Sequence, residues 1–129
     1  MLELRNIYKT FPSNGACALE GADFALRRGE IHAVFGENGA GKSTLMQILA
    51  GFEQPDSGKI IIDGKERRFS QPADAIALGV CMIRQRPELC GGMRVWEACV
   101  LGAEARSASA FFRKRASRDR ITRLSREWG

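Results

Sequence analysis

The 129-residue chain is 44% hydrophobic and 27% charged, a size for one modest core and a composition ordinary for a globular protein. No apolar run is long enough to cross a bilayer, and Met1-Leu2-Glu3-Leu4-Arg5 lacks a secretory pattern, so any membrane role is expected to come through a partner. Four cysteines (17, 81, 90 and 99) form no Cys-x2-Cys pair and His32 is the single histidine, which argues against a zinc site and for reduced thiols in the cytosol.

Residues 2–7 alternate apolar and polar and predict a half-buried strand, with a loop from Lys9 to Gly15. Alternation over 18–26 predicts a second strand, and Arg27-Arg28-Gly29-Glu30 a turn. Ile31-His32-Ala33-Val34-Phe35 is short and mostly apolar, the pattern of a strand covered on both faces, with His32 a packed strand residue.

The next stretch, Gly36-Glu37-Asn38-Gly39-Ala40-Gly41-Lys42-Ser43, has the spacing Gly-x4-Gly-Lys-Ser/Thr of a phosphate-binding loop and runs straight into Thr44. Its glycines allow a tight curl that turns successive N–H groups toward anionic oxygens. Lys42 is placed to reach terminal phosphates, and the Ser43 hydroxyl to complete the coordination of Mg²⁺. The following helix, with Leu45, Met46, Ile48 and Leu49 at helical spacing and Gly51 as its stop, aims its positive end at the same phosphates. A plain Gly-rich turn would not require the Lys-Ser pair at this offset.

Pro55-Asp56-Ser57-Gly58 predicts a turn, and Lys59-Ile60-Ile61-Ile62 a strand entering an Asp63-Gly64 hairpin that returns over 66–69. Pro72 opens a short helix through Leu78, ended by Gly79. Val80-Cys81-Met82-Ile83 reads as another short buried strand, 84–93 as a loop, and 94–102 and about 108–127 as helices. From residue 104 onward eight basic residues (Arg106, Arg113, Lys114, Arg115, Arg118, Arg120, Arg123, Arg126) face three acidic ones (Glu104, Asp119, Glu127). Such a face can be a solvated helix surface, or can meet nucleic acid, lipid headgroups or an acidic protein. The order of elements predicts an α/β fold: a P-loop NTPase core with an antiparallel β-subdomain.

At this point the chain resembles the nucleotide-binding subunit of ATP-binding cassette (ABC) transporters, over essentially its full length. The resemblance rests on Arg28-Gly29-Glu30-Ile31-His32-Ala33 leading into Gly36–Leu45, then Gly51, Pro55-Asp56-Ser57-Gly58-Lys59-Ile60 and Asp63-Gly64. The Glu37-Asn38-Gly39-Ala40 version of the loop, with Pro72-Ala73-Asp74-Ala75-Ile76-Ala77-Leu78-Gly79, is most similar to importers of monosaccharides and nucleosides. The resemblance implies ATP and Mg²⁺ as ligands, with Phe11 (Tyr8 as runner-up) stacking on adenine. Gly36, Glu37, Asn38, Gly39, Ala40, Gly41, Lys42, Ser43 and Thr44 would hold phosphate. It gives Lys42 and Gln85 catalytic roles, and makes Ser43 and Gln85 the metal-side residues. An amide suits the Gln85 position because it donates and accepts at once. The subgroup commonly flanks this glutamine with histidines, whereas here Arg84 and Arg86 do; Val95-Trp96-Glu97-Ala98 stands where Val-x-Glu-Asn is common.

The resemblance further implies transmembrane permease subunits and a second cassette as partners, a solute-binding protein indirectly, no nucleic acid, and a peripheral place on the cytoplasmic face of the inner membrane. Residues 1–103 would be the nucleotide-binding core and 104–129 a basic helical segment opening the helical subdomain. The Leu-Ser-Gly-Gly-Gln signature, the Asp-Glu strand and the switch histidine of a whole cassette do not follow, so the chain is expected to be an N-terminal part, truncated before the signature and Walker B regions, that binds ATP with negligible turnover. Ile60-Ile61-Ile62-Asp63 and Leu89-Cys90-Gly91-Gly92-Met93 only imitate those motifs. The alternatives are another P-loop NTPase or kinase, or a non-catalytic nucleotide-binding or interaction module.

Overall fold

The computed structural model describes residues 1–13, 15–85, 91–101 and 114–128. Contacts within the chain divide it into two units, Met1–Ile83 and Arg84–Gly129. The first holds a four-stranded antiparallel sheet in the order β2-β1-β3-β4. Its strands are β1 (Leu2–Phe11), β2 (Ala16–Leu26), β3 (Ser57–Ile62) and β4 (Lys65–Arg67), and its helices α1 (Lys42–Leu49) and α2 (Pro72–Ala77).

The sheet buries one face. Alternation in β1 and β3 sends Leu4, Ile60 and Ile62 inward, where they meet Ile7, Leu45, Ile48 and Phe69. Helix α1 contributes Leu45, Ile48 and Leu49 at the spacing that puts them on one stripe. The Asp63-Gly64 turn joins β3 to β4 as the sequence predicts. Both residues take positive φ (49° and 75°), as a two-residue hairpin connection demands. Helix α2 is capped by Asp74, whose carboxylate accepts from the backbone amides of Ser70 (2.8 Å) and Gln71 (3.2 Å). Gly51, at φ 75° with its amide bonded to the Ile48 carbonyl, ends α1 as expected.

Two expectations are corrected in this unit. Residues 31–35 and 80–83 are not strands, and Ile31, Phe35 and Ile83 are fully or almost fully exposed (100%, 90% and 98%). A strand exists only where a neighbour completes its ladder. Among the described residues the only sheet is the antiparallel one, and it pairs with neither segment. His32 accordingly packs from a coil, edge-on to Phe24 at 5.1 Å between ring centroids. The loop predicted for 9–15 is also shorter than expected. Lys9, Thr10 and Phe11 remain in β1 because they pair with Leu19, Cys17 and Ala16.

The second unit holds α3 (Val95–Val100) and α4 (Lys114–Trp128). Glu97 caps α3 by accepting from the Arg94 amide at 2.9 Å. Val100 and Ser117 are buried, and the Lys114 ammonium lies 5.8 Å from the Trp96 ring centroid. The predicted helical residues 108–113, and Leu89 and Cys90 of the imitation signature, lie outside the described residues.

Candidate nucleotide site

The glycine-rich segment supplies the local geometry that its sequence promises. Gly36, Gly39 and Gly41 have φ of 154°, 87° and 82°, conformations that side chains disfavour. A turn closes from the Ala40 amide to the Glu37 carbonyl at 3.2 Å, and the first helical bond runs from the Leu45 amide to the Gly41 carbonyl at 2.9 Å. No side chain caps α1, so none competes with an anion for the amides of its first turn. The Lys42 ammonium curls back over the loop and donates to the Gly36 and Glu37 carbonyls, both at 2.6 Å. An ammonium has three donors, so one remains after these two bonds. Ser43 at the same helix start is exposed, and Thr44 is half-buried.

The base of this loop stands against β2. A Cβ on Gly41 would collide with the Ala18 carbonyl oxygen and come within 2.7 Å of the Leu19 Cδ2. Phe11 pairs with Ala16, two residues further along β2, which is roughly 7 Å at the rise of a strand. The unit therefore brings Phe11 and the Gly41–Lys42 corner to one end of the β1–β2 hairpin. Tyr8 is placed differently. Its hydroxyl lies beside Gly21, where a Cβ would sit 3.1 Å from it, in the middle of the hairpin.

Phe11 is half-buried, and the Lys9 ammonium lies 5.4 Å from its ring centroid. Lys9 is itself tied down. It donates to the Gln54 carbonyl at 2.8 Å and lies 3.6 Å from Glu53 and 3.7 Å from Asp56. Asp56 in turn accepts from the Thr10 amide at 2.7 Å. This network, which sequence reading missed, locks the end of β1; the Pro55-Asp56 turn was its one visible signal.

Before the loop, Glu30 accepts from the Arg27 amide at 2.8 Å, which together with neighbouring His32 holds its carboxyl below the usual range. Gln85 is exposed and belongs to the second unit.

For Mg²⁺, Ser43 offers one hard oxygen, and no group of three or more acidic, His or Cys side chains stands ready among the described residues. Magnesium takes few protein ligands and keeps phosphate and water oxygens, so a single hydroxyl beside a phosphate cradle fits an ion delivered with its nucleotide.

A glycine loop opening a helix beside an antiparallel sheet fits a truncated P-loop NTPase core. The solved structures agree. A nucleotide-free ATP-binding cassette from an ABC transporter is 30% identical with a TM-score of 0.70, matching 80% of this chain and 40% of that one. A bacterial ABC transporter cassette solved as a dimer shares the fold at 22% identity, with a TM-score of 0.70 over 95% of this chain and 55% of its own. The family model for the ABC transporter matches residues 19–128, and the chain belongs to that family. Among curated proteins it is similar to a ribose import ATP-binding protein of Streptomyces avermitilis, at 42% identity over 98% of this chain and 24% of the relative. It is also similar to an arabinose import ATP-binding protein of Paraburkholderia xenovorans, at 43% identity over 88% and 23%. The chain thus spans about a quarter of the length of the curated relatives it matches.

Proposed function

We propose that this chain binds ATP with Mg²⁺ as part of the ATP-binding subunit of an importer for monosaccharides or nucleosides. The observation that carries the reading is the loop at the start of α1, where the uncapped helix end, the glycine turns and the Lys42 ammonium converge. In this reading Gly36–Gly41 cradle the phosphates through backbone amides and Lys42 moves from its two carbonyls to the terminal phosphates. Ser43 and Thr44 sit under the phosphates, and Phe11 stacks on the base. Ser43 holds the metal side of the site. Magnesium, when bound, neutralises phosphate charge.

The relatives named for ribose and arabinose import support the solute class. Transmembrane permease subunits, a second cassette and, indirectly, a solute-binding protein would be the partners. The protein would act at the cytoplasmic face of the membrane; among the described residues no helix is long and apolar enough to cross one. The sequence contains no Asp-Glu pair to polarise a water molecule, so this chain by itself holds ATP with negligible turnover.

The test is equilibrium titration of the purified chain with ATP and Mg²⁺, beside a phosphate-release assay. Saturable binding lost in Lys42→Ala, without release above background, is expected. Magnesium-dependent hydrolysis abolished by Lys42→Ala would overturn the absence of turnover, and an unchanged Lys42→Ala titration would remove the site itself.

A further inference from the structure

The outer strand of the sheet turns a charge toward the core. In the β3–β4 pair Ile60 faces Arg67 and Ile61 faces Glu66. Facing residues share one side of a sheet, and Ile60, 3% exposed, marks its side as the core side. Glu66 stands on the other side, where its carboxylate meets Lys59 at 2.9 Å. Arg67 is thus an inward-pointing, half-buried arginine on the edge strand β4.

An arginine so placed usually lays its stem on apolar neighbours and keeps the guanidinium in water. Here the Nε is closed to solvent and has no hydrogen-bond partner. A buried N–H of a cation without an acceptor is costly, and native structures rarely tolerate one. The carboxylates that border the same space are engaged elsewhere: Glu66 by Lys59, and Glu53 and Asp56 by Lys9 at 3.6 and 3.7 Å. Asp63, on the turn between the two strands, is held by the N-terminal ammonium at 2.8 Å. Neither Arg67 nor its exposed neighbour Arg68 forms a salt bridge among the described residues.

Arg67 borders a cavity of about 190 Å³. Ile48, Ile60 and Phe69, all core residues, give it apolar walls, and Gln54 and Arg68 line it beside Arg67. The Gln54 amide donates to the Phe69 carbonyl and so ties the segment after α1 to the end of the hairpin. Ile48 lies six residues past Lys42 along α1, roughly 9 Å of helical rise, so the cavity sits toward the end of that helix away from the phosphate loop. A cavity of about 150 Å³ admits benzene. The space therefore suits a small apolar body, and the unpartnered cation calls for an anionic group. A carboxylate meets a guanidinium in a planar, two-bond fork.

We propose that this cavity binds a small organic carboxylate with an apolar body. The Nε–H and one Nη–H of Arg67 hold the carboxylate side-on, and Ile48, Ile60 and Phe69 cover the body. The inference stands apart from the nucleotide reading and does not depend on it.

The probe is sodium benzoate, titrated into the isotope-labelled wild-type chain while NMR follows backbone amides and arginine Nε–H signals. Benzamide has the ring without the charge, and inorganic phosphate has the charge without the ring. Benzoate is expected to shift the Arg67 Nε–H saturably, together with the amides of Gln54, Ile60 and Phe69. Both controls should bind at least about tenfold more weakly, the scale of one charge-assisted hydrogen bond. A benzoate response no stronger than that to phosphate would overturn the proposal in favour of a nonspecific anion contact. A response matched by benzamide would overturn it in favour of an apolar recess. No saturable response to benzoate would leave Arg67 as a charge that guards the sheet edge against pairing. Arg67→Lys keeps the charge and loses the fork, and should weaken benzoate by roughly tenfold. Unchanged affinity would remove Arg67 from the site; should the variant not fold, the wild-type titrations decide.

Discussion

The Lys42 ammonium lies 2.6 Å from the Gly36 carbonyl oxygen, six residues back along the chain, and at the same distance from that of Glu37. The loop thus holds its own cation over its mouth before any phosphate enters. Charge-assisted hydrogen bonds contribute about 1.5–3 kcal/mol each. Lys42→Ala is expected to weaken ATP binding by roughly ten- to a hundredfold in isothermal titration, on the scale of one such bond. Its thermal midpoint should change little, since the bonds it loses are to exposed carbonyls.

Phe11 and Tyr8 can be separated by the base alone. Base stacking on an aromatic residue is worth about 1–3 kcal/mol by alanine substitution. Phe11→Ala should lose that much ATP affinity and retain tripolyphosphate binding, whereas Tyr8→Ala, beside Gly21, should leave both nearly unchanged. A larger effect from Tyr8→Ala would reassign the stacking residue.

Ile48 and Leu4 are among the most deeply buried side chains in the first unit, at 0% and 1% exposure. Truncating either leaves a cavity between α1 and the sheet. Ile48→Ala and Leu4→Ala are each expected to cost about 2–5 kcal/mol in chemical denaturation. The exposed Ile76→Ala should cost far less.

Asp63 accepts from the N-terminal ammonium of Met1 at 2.8 Å, and that bond and charge hold its carboxyl below the ordinary range. A depressed folded pKa means stability that is present above the unfolded value and is lost as pH falls through the folded one. Asp63→Asn keeps the positive φ that Asn tolerates. Its melting temperature should therefore lie below wild type near neutral pH and converge with it under acid. A gap that persists below the carboxylate range would assign the effect to the turn rather than the ion pair.

How much the sequence revealed depended on how local the signal was. The loop glycines, the α1 stripe, the Asp63-Gly64 turn and the Pro72 helix all appear where their residues predict them. Each of these elements carries its hydrogen bonds within a few residues of itself. Ile31–Phe35 failed as a strand because strand formation is decided by a neighbour, and no apolar pattern can supply one. Lys9–Phe11 extended β1 for the converse reason, since pairing with Ala16–Leu19 overrode turn-forming Pro12 and Ser13. The register shifts of β1 against β2 between Leu4 and Thr10 leave no mark in the sequence, because pairing is settled across strands. Phe11 and the P-loop residues were singled out one by one, but their nearness across β2 belongs to the fold.

The bare Ile31–Phe35 segment has a colloidal consequence. Ile31 and Phe35, open to solvent in a segment outside the sheet, offer apolar side chains to a second molecule. The purified chain should self-associate as its concentration rises. Phe35→Lys should delay that onset in light scattering by replacing an exposed apolar side chain with a like charge on each approaching molecule. The stretch that leads into the phosphate loop is thus also the place where shelf life in the tube is decided.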